Sequence, residues 1–159
     1  MYKTKDSIVA LATAPGRSAL NVVRCSGSSV LDILKKISSP SFKPKANRCD
    51  VLFIKHPKTK EIVDQCVVSV FFAPKSFTGE HVVEFSVHGG VVVSKKLIEV
   101  LVGCGCRIAS PGEFSYRAFI NGKIDLIQAE AIALIVDSKK TLPAAYSMKN
   151  LHGELSSSL

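Results

Sequence analysis

The feature that most limits the fold of this chain is the grouping of its apolar residues into short, β-branched runs rather than long ones. Runs of this kind that end at Gly, Pro, Ser or Asn are typical of β-strands. A membrane span needs roughly 20 apolar residues in succession. The longest apolar run, residues 67–73, is interrupted by Ser69, so we expect no membrane partner. We predict strands at residues 7–13, 20–24, 49–55, 62–72 and 82–87, and a short edge strand at 107–109.

Apolar residues three and four positions apart predict helices between these strands. The first helix covers residues 30–37, with its N-cap in the Ser-rich stretch 26–29. Gly122 is predicted as a C′ residue and Asp125 as an N-cap. Strands and helices follow each other without strict βαβ alternation, so we predict an α+β fold with a mixed β-sheet and packed helices, followed by an all-α tail. The other helices are predicted at 91–102, 113–121, 126–138 and from 143 towards 155.

The positive charge is concentrated in one segment. The chain has 21 Lys and Arg against 13 Asp and Glu, a formal net charge of +8. Residues 31–60 hold eight of these bases and two acids, so this segment alone carries +6. We interpret it as a loop and hairpin surface that is either simply solvated or contacts RNA or another polyanion. Only Phe42 and Phe53 interleave the bases, and a base-stacking platform is therefore not indicated.

The cysteine pattern favours free thiols over disulfides or zinc. The five cysteines are odd in number and form no C-x-x-C, and the polar N-terminus does not resemble a signal peptide. Cys104 and Cys106 with His88 or His152 lack zinc-finger spacing, and there is no second pair. We predict buried free thiols, no metal site and a reducing cytoplasm.

A few polar residues lie in apolar surroundings where they need a partner or a ligand. Arg24 ends an apolar strand, and alternation places Glu84 on the opposite face of its strand from Phe85. Arg117 and Lys123 lie around a capped helix. Two interpretations are open: a structural Arg24–Glu84 ion pair, or a small-molecule pocket with one carboxylate and several cations. The sequence contains no P-loop, dinucleotide fingerprint or nucleophile elbow.

Three ordered blocks of sequence resemble one protein family. The first contains S-I-V-A, A-P-G-R, V-V-R and S-G between residues 7 and 27. The second contains A-P-K-S-F-T-G-E, V-E and H-G-G between residues 73 and 90, and the third P-G-E-F, R-A-F, N-G-K, D-L and Q-A-E-A between 111 and 131. Together they resemble the tRNA modification GTPase family called MnmE or TrmE over nearly the whole chain.

The resemblance implies a division into two parts. Residues 1–121 would form a tetrahydrofolate-binding and dimerisation domain, similar to half of the folate domain of the glycine-cleavage aminomethyltransferase. Residues 122–159 would be the first helices of a helical domain. The family's GTPase domain, with its GTP, potassium and magnesium sites, and its terminal catalytic Cys would lie outside this chain. We therefore expect no catalytic residue here and no GTP hydrolysis by this fragment alone.

The resemblance also implies a ligand site. By matching motifs, Arg24, Glu84 and Lys123 are the residues expected to contact 5-formyl-tetrahydrofolate or a related one-carbon-loaded form. A carboxylate such as Glu84 can accept two hydrogen bonds from the amidine-like edge of a pterin. Arg24 and Lys123 suit the ligand oxygens and the anionic glutamate tail. The chain departs from the family pattern at Cys25 and at Ser18-Ala19, outside these three positions.

The implied partners are a second copy of the chain, an MnmG-type flavoprotein and tRNA. The full protein would add a folate-derived one-carbon or aminomethyl-type group at C5 of the wobble uridine. One alternative is a nonenzymatic RNA-binding or assembly module that uses segment 31–60. Another, a freestanding aminomethyltransferase, is disfavoured by the length of the chain, because half a folate domain must dimerise to complete a site.

Overall fold

The computed structural model describes residues 6–16 and 18–137. Of these, the residues up to Ser76 and Glu80–Ala109 form one compact unit, and Phe77–Gly79 with the residues from Ser110 onwards form a second. Within the described residues there are six strands and four helices: β1 Ser7–Leu11, β2 Leu20–Ser26, α1 Val30–Ile37, β3 Arg48–Lys55, β4 Ile62–Phe71, β5 Val82–His88, α2 Val91–Gly103, β6 Cys106–Ile108, α3 Glu113–Ile120 and α4 Leu126–Asp137.

The six strands form a single mixed sheet in the first unit, in the order β3-β4-β5-β2-β1-β6. Every neighbouring pair is antiparallel except β1 and β6, which are parallel. The predicted α+β fold with a mixed sheet is therefore confirmed. The sheet places β5 beside β2 although some 60 residues separate them, with Arg24 directly opposite Glu84.

The core of this unit lies on one face of the sheet. Because side chains alternate across a strand, Val23 and Phe85 point to the buried face, and Arg24 and Glu84 point to the other, which we call the outer face. Apolar residues of α1 and α2 complete the same core cluster, among them Leu34, Ile37, Leu97 and Leu101, each at most 1% exposed. The outer face therefore remains available for polar and partly exposed side chains.

The structure tests the helix caps predicted at α1, Gly122 and Asp125. Asp125 Oδ1 accepts a hydrogen bond from Gln128 N at 2.8 Å, and Gln128 Oε1 accepts one from Asp125 N at 3.0 Å, a reciprocal capping box that confirms the predicted cap. Gly122 has φ 65° and occupies the predicted C′ position. The N-cap residue of α1 is Ser29, within the predicted stretch, but its side chain makes no capping bond. Its hydroxyl lies 2.6 Å from that of Ser7 instead.

All five cysteines are free, but they are not equally buried. Cys25, Cys66 and Cys106 are buried, Cys104 is half-buried and Cys49 is exposed, so the prediction of buried thiols is wrong for Cys49. Cys49 is exposed because it lies on the outer side of an edge strand. Burial raises the pKa of the Cys66 thiol to about 12. Among residues 6–16 and 18–137, no group of three or more His, Cys, Asp or Glu side chains could hold a metal ion.

Two further expectations concern helices. In the part of the chain that the structure describes, no helix combines the length and hydropathy needed to cross a membrane. The helix predicted from Pro143 lies outside the described residues.

α4 carries exposed apolar side chains at Leu126, Leu134 and Val136, which are 59%, 52% and 77% exposed.

Candidate ligand-binding site

Arg24 and Glu84 form an ion pair in the middle of the outer face. They are opposite each other in the β2–β5 register, and Arg24 Nε donates to Glu84 Oε1 at 2.7 Å. The side chains are 28% and 24% exposed. The structural Arg24–Glu84 ion pair that the sequence suggested is therefore present. Because solvent still reaches both side chains, a ligand could reach them as well.

The carboxylate of Glu84 can bind more than its arginine partner. An ionised carboxylate has about four acceptor positions, and the Arg24 Nε hydrogen bond uses one. Ser69 of β4 is the register partner of Glu84 on its other side, and the hydroxyl of Ser69 lies 3.2 Å from Cys49 Sγ. Glu84 therefore lies between a cation and a small polar side chain, and its own side chain is 24% exposed on the outer face.

The outer face continues from this pair along β2 and β5. The next register pairs are Val22 with Ser86 and then Leu20 with His88. We use the name outer-face strip for three register pairs: Arg24–Glu84, Val22–Ser86 and Leu20–His88. Val22 and Ser86 are half-buried, whereas Leu20 and His88 are exposed. The strip thus has an ion pair at one end, and Val22–Ser86 and Leu20–His88 each combine an apolar with a polar side chain.

The side chain of His88 contacts a residue that sequence reasoning missed, Asp64, whose Oδ1 also accepts a hydrogen bond from Gln65 N at 2.8 Å. Asp64 Oδ1 lies 2.8 Å from His88 Nδ1, and Asp64 Oδ2 accepts a hydrogen bond from His88 N at 2.9 Å. Asp64 is 10% exposed and the His88 side chain 71% exposed. The signal in the sequence was an acidic residue inside the apolar run 62–72, but the pairing depends on strand order.

Lys123 belongs to the second unit. It is exposed and follows Gly122 at the end of α3, and its N–H donates to Ala118 O at 2.8 Å. Asn121 Nδ2 donates to Thr78 O at 2.7 Å. A Cβ at Gly79 would lie 3.2 Å from Lys123 Cγ, so the lysine stem packs over this glycine. The structure therefore pairs Arg24 with Glu84, whereas Lys123 packs against Gly79. The role of Lys123 in a ligand site stays a prediction.

Arg117 has a structural place rather than a ligand-facing one. Arg117 and Glu113 are both fully buried, with Arg117 Nη2 3.1 Å from Glu113 Oε1 one helical turn away. Glu113 Oε2 accepts a hydrogen bond from Ser110 N at 2.8 Å. The pair therefore joins the body of α3 to the turn that precedes it.

The fold and the site define a mixed-sheet α+β domain with a solvent-accessible carboxylate–guanidinium pair on its outer face. The family model described as the N-terminus of the GTP-binding protein TrmE matches residues 7–123. The chain therefore belongs to the TrmE N-terminal family, as the sequence motifs indicated.

Three relatives that match this chain are each named tRNA modification GTPase MnmE. Those of Sulfurovum sp. (strain NBC37-1), Aquifex aeolicus and Thermus thermophilus are 42%, 44% and 42% identical over 154 residues. Each alignment covers 96% of this chain and 34%, 34% and 36% of the respective relative. The chain thus spans about a third of the length of the curated relatives it matches.

Proposed function

We propose that this chain is the folate-binding, dimerising N-terminal part of a cytoplasmic tRNA modification GTPase. In the full protein it positions a folate-borne one-carbon unit, which the protein and an MnmG-type flavoprotein use to build an aminomethyl-type group at C5 of the wobble uridine of certain tRNAs. GTP, potassium and magnesium belong to a GTPase domain outside this chain. The family membership and the names of the relatives support this proposal.

The observation that carries the proposed ligand is the partly exposed Glu84 carboxylate beside Arg24. A pterin presents a ring N–H and an exocyclic amine side by side, and a carboxylate can accept both. Arg24 holds the carboxylate through Nε at 2.7 Å and leaves acceptor positions on Glu84 for the ligand. The donor set of the site therefore fits 5-formyl-tetrahydrofolate. When bound, the folate supplies the one-carbon unit, and this chain binds and orients it.

Lys123 adds the third proposed contact. Its exposed ammonium group suits an oxygen of the ligand or a carboxylate of the glutamate tail. The packing of its stem over Gly79 limits the rotamers that it can adopt, so less conformational entropy is lost when it binds.

Dimerisation is supported by the apolar outer side of the sheet edge. β3 is an edge strand in the sheet of the described residues, and edge strands present unpaired backbone groups. Val51, Phe53 and Val67 on the outer face of β3 and β4 are 64%, 50% and 41% exposed. Contiguous exposed apolar groups mark interaction surfaces, and a second copy of this chain is the partner we propose.

The exposed apolar side chains of α4 support assigning residues 122–159 to a helical domain.

The binding proposal is tested by calorimetry with 5-formyl-tetrahydrofolate and the Glu84→Gln variant. The change replaces one acceptor oxygen by a donor, so one charge-assisted hydrogen bond worth about 1.5–3 kcal/mol is lost, and we expect about 10- to 100-fold weaker binding. Glu99→Gln, at an exposed carboxylate on α2, is the matched control. Unchanged affinity of Glu84→Gln would remove this residue from the site, and no binding by the unmodified chain would refute the proposed function.

The basic hairpin favours a second candidate function, RNA binding. Lys55, Lys58 and Lys60 are all exposed around the β3–β4 turn. A cavity of about 330 Å³ is lined by Lys58 together with His56, Lys96 and the acidic Glu99 among others. Such a cluster would bind phosphate groups with strong salt dependence. Salt-sensitive tRNA binding that is lost on reversing the three hairpin lysines, together with no folate binding, would establish this function instead.

A further inference from the structure

The β3–β4 turn and α2 line a cavity of about 330 Å³, which we call the turn cavity. Its lining includes His56, Pro57 and Lys58 of the turn and Lys96, Glu99 and Gly103 of α2. Because α2 packs on the core face of the sheet, the turn cavity lies on the opposite side of the sheet from Glu84. Ligand cavities span about 300–1,000 Å³, so this volume suits one small group rather than a double helix.

The wall of the cavity that the turn supplies is held in place by His56. His56 N donates to Glu61 O at 2.8 Å, and His56 O accepts from Lys60 N at 2.9 Å. The ring Nδ1 accepts from Thr59 N at 3.1 Å and from Lys58 N at 3.3 Å. Because Nδ1 is an acceptor, the neutral ring has its proton on Nε2. Nε2 makes no hydrogen bond to residues 6–16 or 18–137, so the ring has one donor to offer a ligand.

The wall that α2 supplies has charges of both signs. Lys96 Nζ lies 2.5 Å from Glu61 Oε1, and an ammonium group has three donors, so two of them remain. Glu99 lies one helical turn further along α2, within reach of Lys96, but forms no ion pair with any residue that the structure describes. A ligand that matches this lining carries an anionic group for the lysines and N–H donors for the carboxylate.

A nucleotide combines these groups, because its phosphate is anionic and most bases carry an exocyclic amine. Pro57 and Val100 give the cavity an apolar part, and Val100 is only 5% exposed. Positive charge continues beyond the cavity, since Lys55 and Lys60 are exposed on the same hairpin. A polyanion longer than the cavity therefore fits this surface. A single strand suits it better than a duplex, because only an unpaired base can be splayed into a small cavity.

We propose that the turn cavity binds one nucleotide of single-stranded RNA, with Lys58 and Lys96 on its phosphate and Glu99 on the exocyclic amine of its base. This inference rests on the second candidate function, RNA binding, and does not depend on folate binding. His56 Nε2 donates to an acceptor of the same base. Cytosine has the amine that a carboxylate accepts from. Uracil has a carbonyl oxygen in its place, which Glu99 repels, so the cavity prefers cytidine.

The experiment compares oligocytidine with oligouridine of the same length on the full 159-residue chain. Fluorescence anisotropy measures the ratio of the two dissociation constants at one fixed salt concentration, because phosphate contacts depend strongly on salt. A hydrogen bond to a charged group corresponds to about 10- to 100-fold in affinity, so we expect oligocytidine to bind about tenfold more tightly or better. Glu99→Gln should bring the ratio towards one, because an amide can also donate to the uracil oxygen. Lys58→Ala should weaken both ligands equally, since the phosphate is common to them.

Gly103→Leu tests the cavity itself without removing a charge. A Cβ at Gly103 would have nothing within 4 Å, so the added side chain enters open space, and we expect it to abolish the preference for oligocytidine. Glu130→Gln on α4 and Lys75→Ala, both at exposed positions, are the matched controls for loss of a carboxylate and of a cation. Circular dichroism verifies that each variant is folded.

The outcomes separate this inference from the function on which it rests. If the unmodified chain binds neither oligonucleotide, both RNA binding and this inference are wrong. If it binds both with equal affinity, or if Glu99→Gln and Gly103→Leu leave the ratio unchanged, RNA binding stands and the assignment of the cavity is wrong. If cytidine monophosphate binds as tightly as oligocytidine, the ligand is a free nucleotide and the RNA assignment is wrong. A ratio that falls in both cavity variants and not in the controls supports the inference.

Discussion

Removing Arg117 should destabilise the chain strongly, because it takes away one partner of a fully buried ion pair. Both side chains are 0% exposed, and Arg117 Nη2 lies 3.1 Å from Glu113 Oε1. Breaking a buried ion pair by removing one partner costs about 3–5 kcal/mol. Glu113 Oε2 keeps its hydrogen bond from Ser110 N at 2.8 Å, so we expect Arg117→Met to lie near the lower end, at about 3 kcal/mol. For a chain of this size this corresponds to a fall in Tm of about 6–12 °C.

The mechanism predicts that a second change partly restores stability. In the double variant Arg117→Met/Glu113→Gln both charges of this pair are removed, and the amide oxygen introduced at position 113 can still accept the hydrogen bond from Ser110 N. We therefore expect the double variant to be more stable than Arg117→Met alone, which is the behaviour of a buried pair whose desolvation opposes its attraction. Urea unfolding followed by circular dichroism measures the free energies of unfolding, with an unchanged m value as the check on two-state behaviour.

A helical ion pair at the surface provides the control. Lys35 and Asp32 of α1 are 3.4 Å apart and their side chains are 42% and 82% exposed. Lys35→Met should change the free energy of unfolding by no more than about 0.5 kcal/mol. The buried-charge mechanism is refuted if Arg117→Met costs less than about 1 kcal/mol, or if the Arg117 and Glu113 changes simply add.

Two further predictions concern backbone approach and alkaline stability. A Cβ at Gly89 would lie 1.6 Å from the backbone oxygen of Ser18, so Gly89→Ala should destabilise the chain by about 1–3 kcal/mol or more. A Cβ at Gly103 would have nothing within 4 Å, so Gly103→Ala should be neutral or slightly stabilising. Equal urea midpoints for the two variants would contradict this prediction. Burial raises the pKa of Cys66 from 9.0 to about 12, so the unfolded chain releases this proton first as the pH rises, and the free energy of unfolding should decline between about pH 9 and 12. Cys66→Ala should flatten this part of the pH profile, and parallel profiles for the two proteins would refute the assignment.

Local patterns predicted local elements well. The helix α1 begins and ends at the predicted residues, Val30 and Ile37, because its apolar positions recur at helical spacing over its whole length. The cap at Asp125 was predictable because the bonding partner, Gln128, is three residues away. Ser29 is the N-cap residue of α1, but its hydroxyl pairs with that of Ser7 in β1, 22 residues away, rather than with the backbone of the helix. Such competition depends on strand pairing and leaves no trace in the neighbouring residues.

The candidate site shows the same limit. Arg24 and Glu84 were recognisable as polar residues in apolar strands, since alternation is a property of each strand by itself. Arg117 was grouped with them as a candidate cation, but its complete burial with Glu113 makes it structural. Asp64 was missed because its partner, His88, lies on another strand. Sequence motifs pointed to the family and to three candidate contacts, and ligand measurements will decide on these contacts.

By itself, the sequence determined the approximate positions of the strands and helices, the caps at Gly122 and Asp125, and the family, because these depend on residues within a few positions of each other or on recognisable motifs. The tertiary structure alone decided which side chains meet. The strand order β3-β4-β5-β2-β1-β6 brings Arg24 to Glu84 across 60 residues and Asp64 to His88 across 24. It also buries one face of the sheet under α1 and α2. The physical reason is that strand register and burial arise from packing between distant segments, which no local pattern encodes.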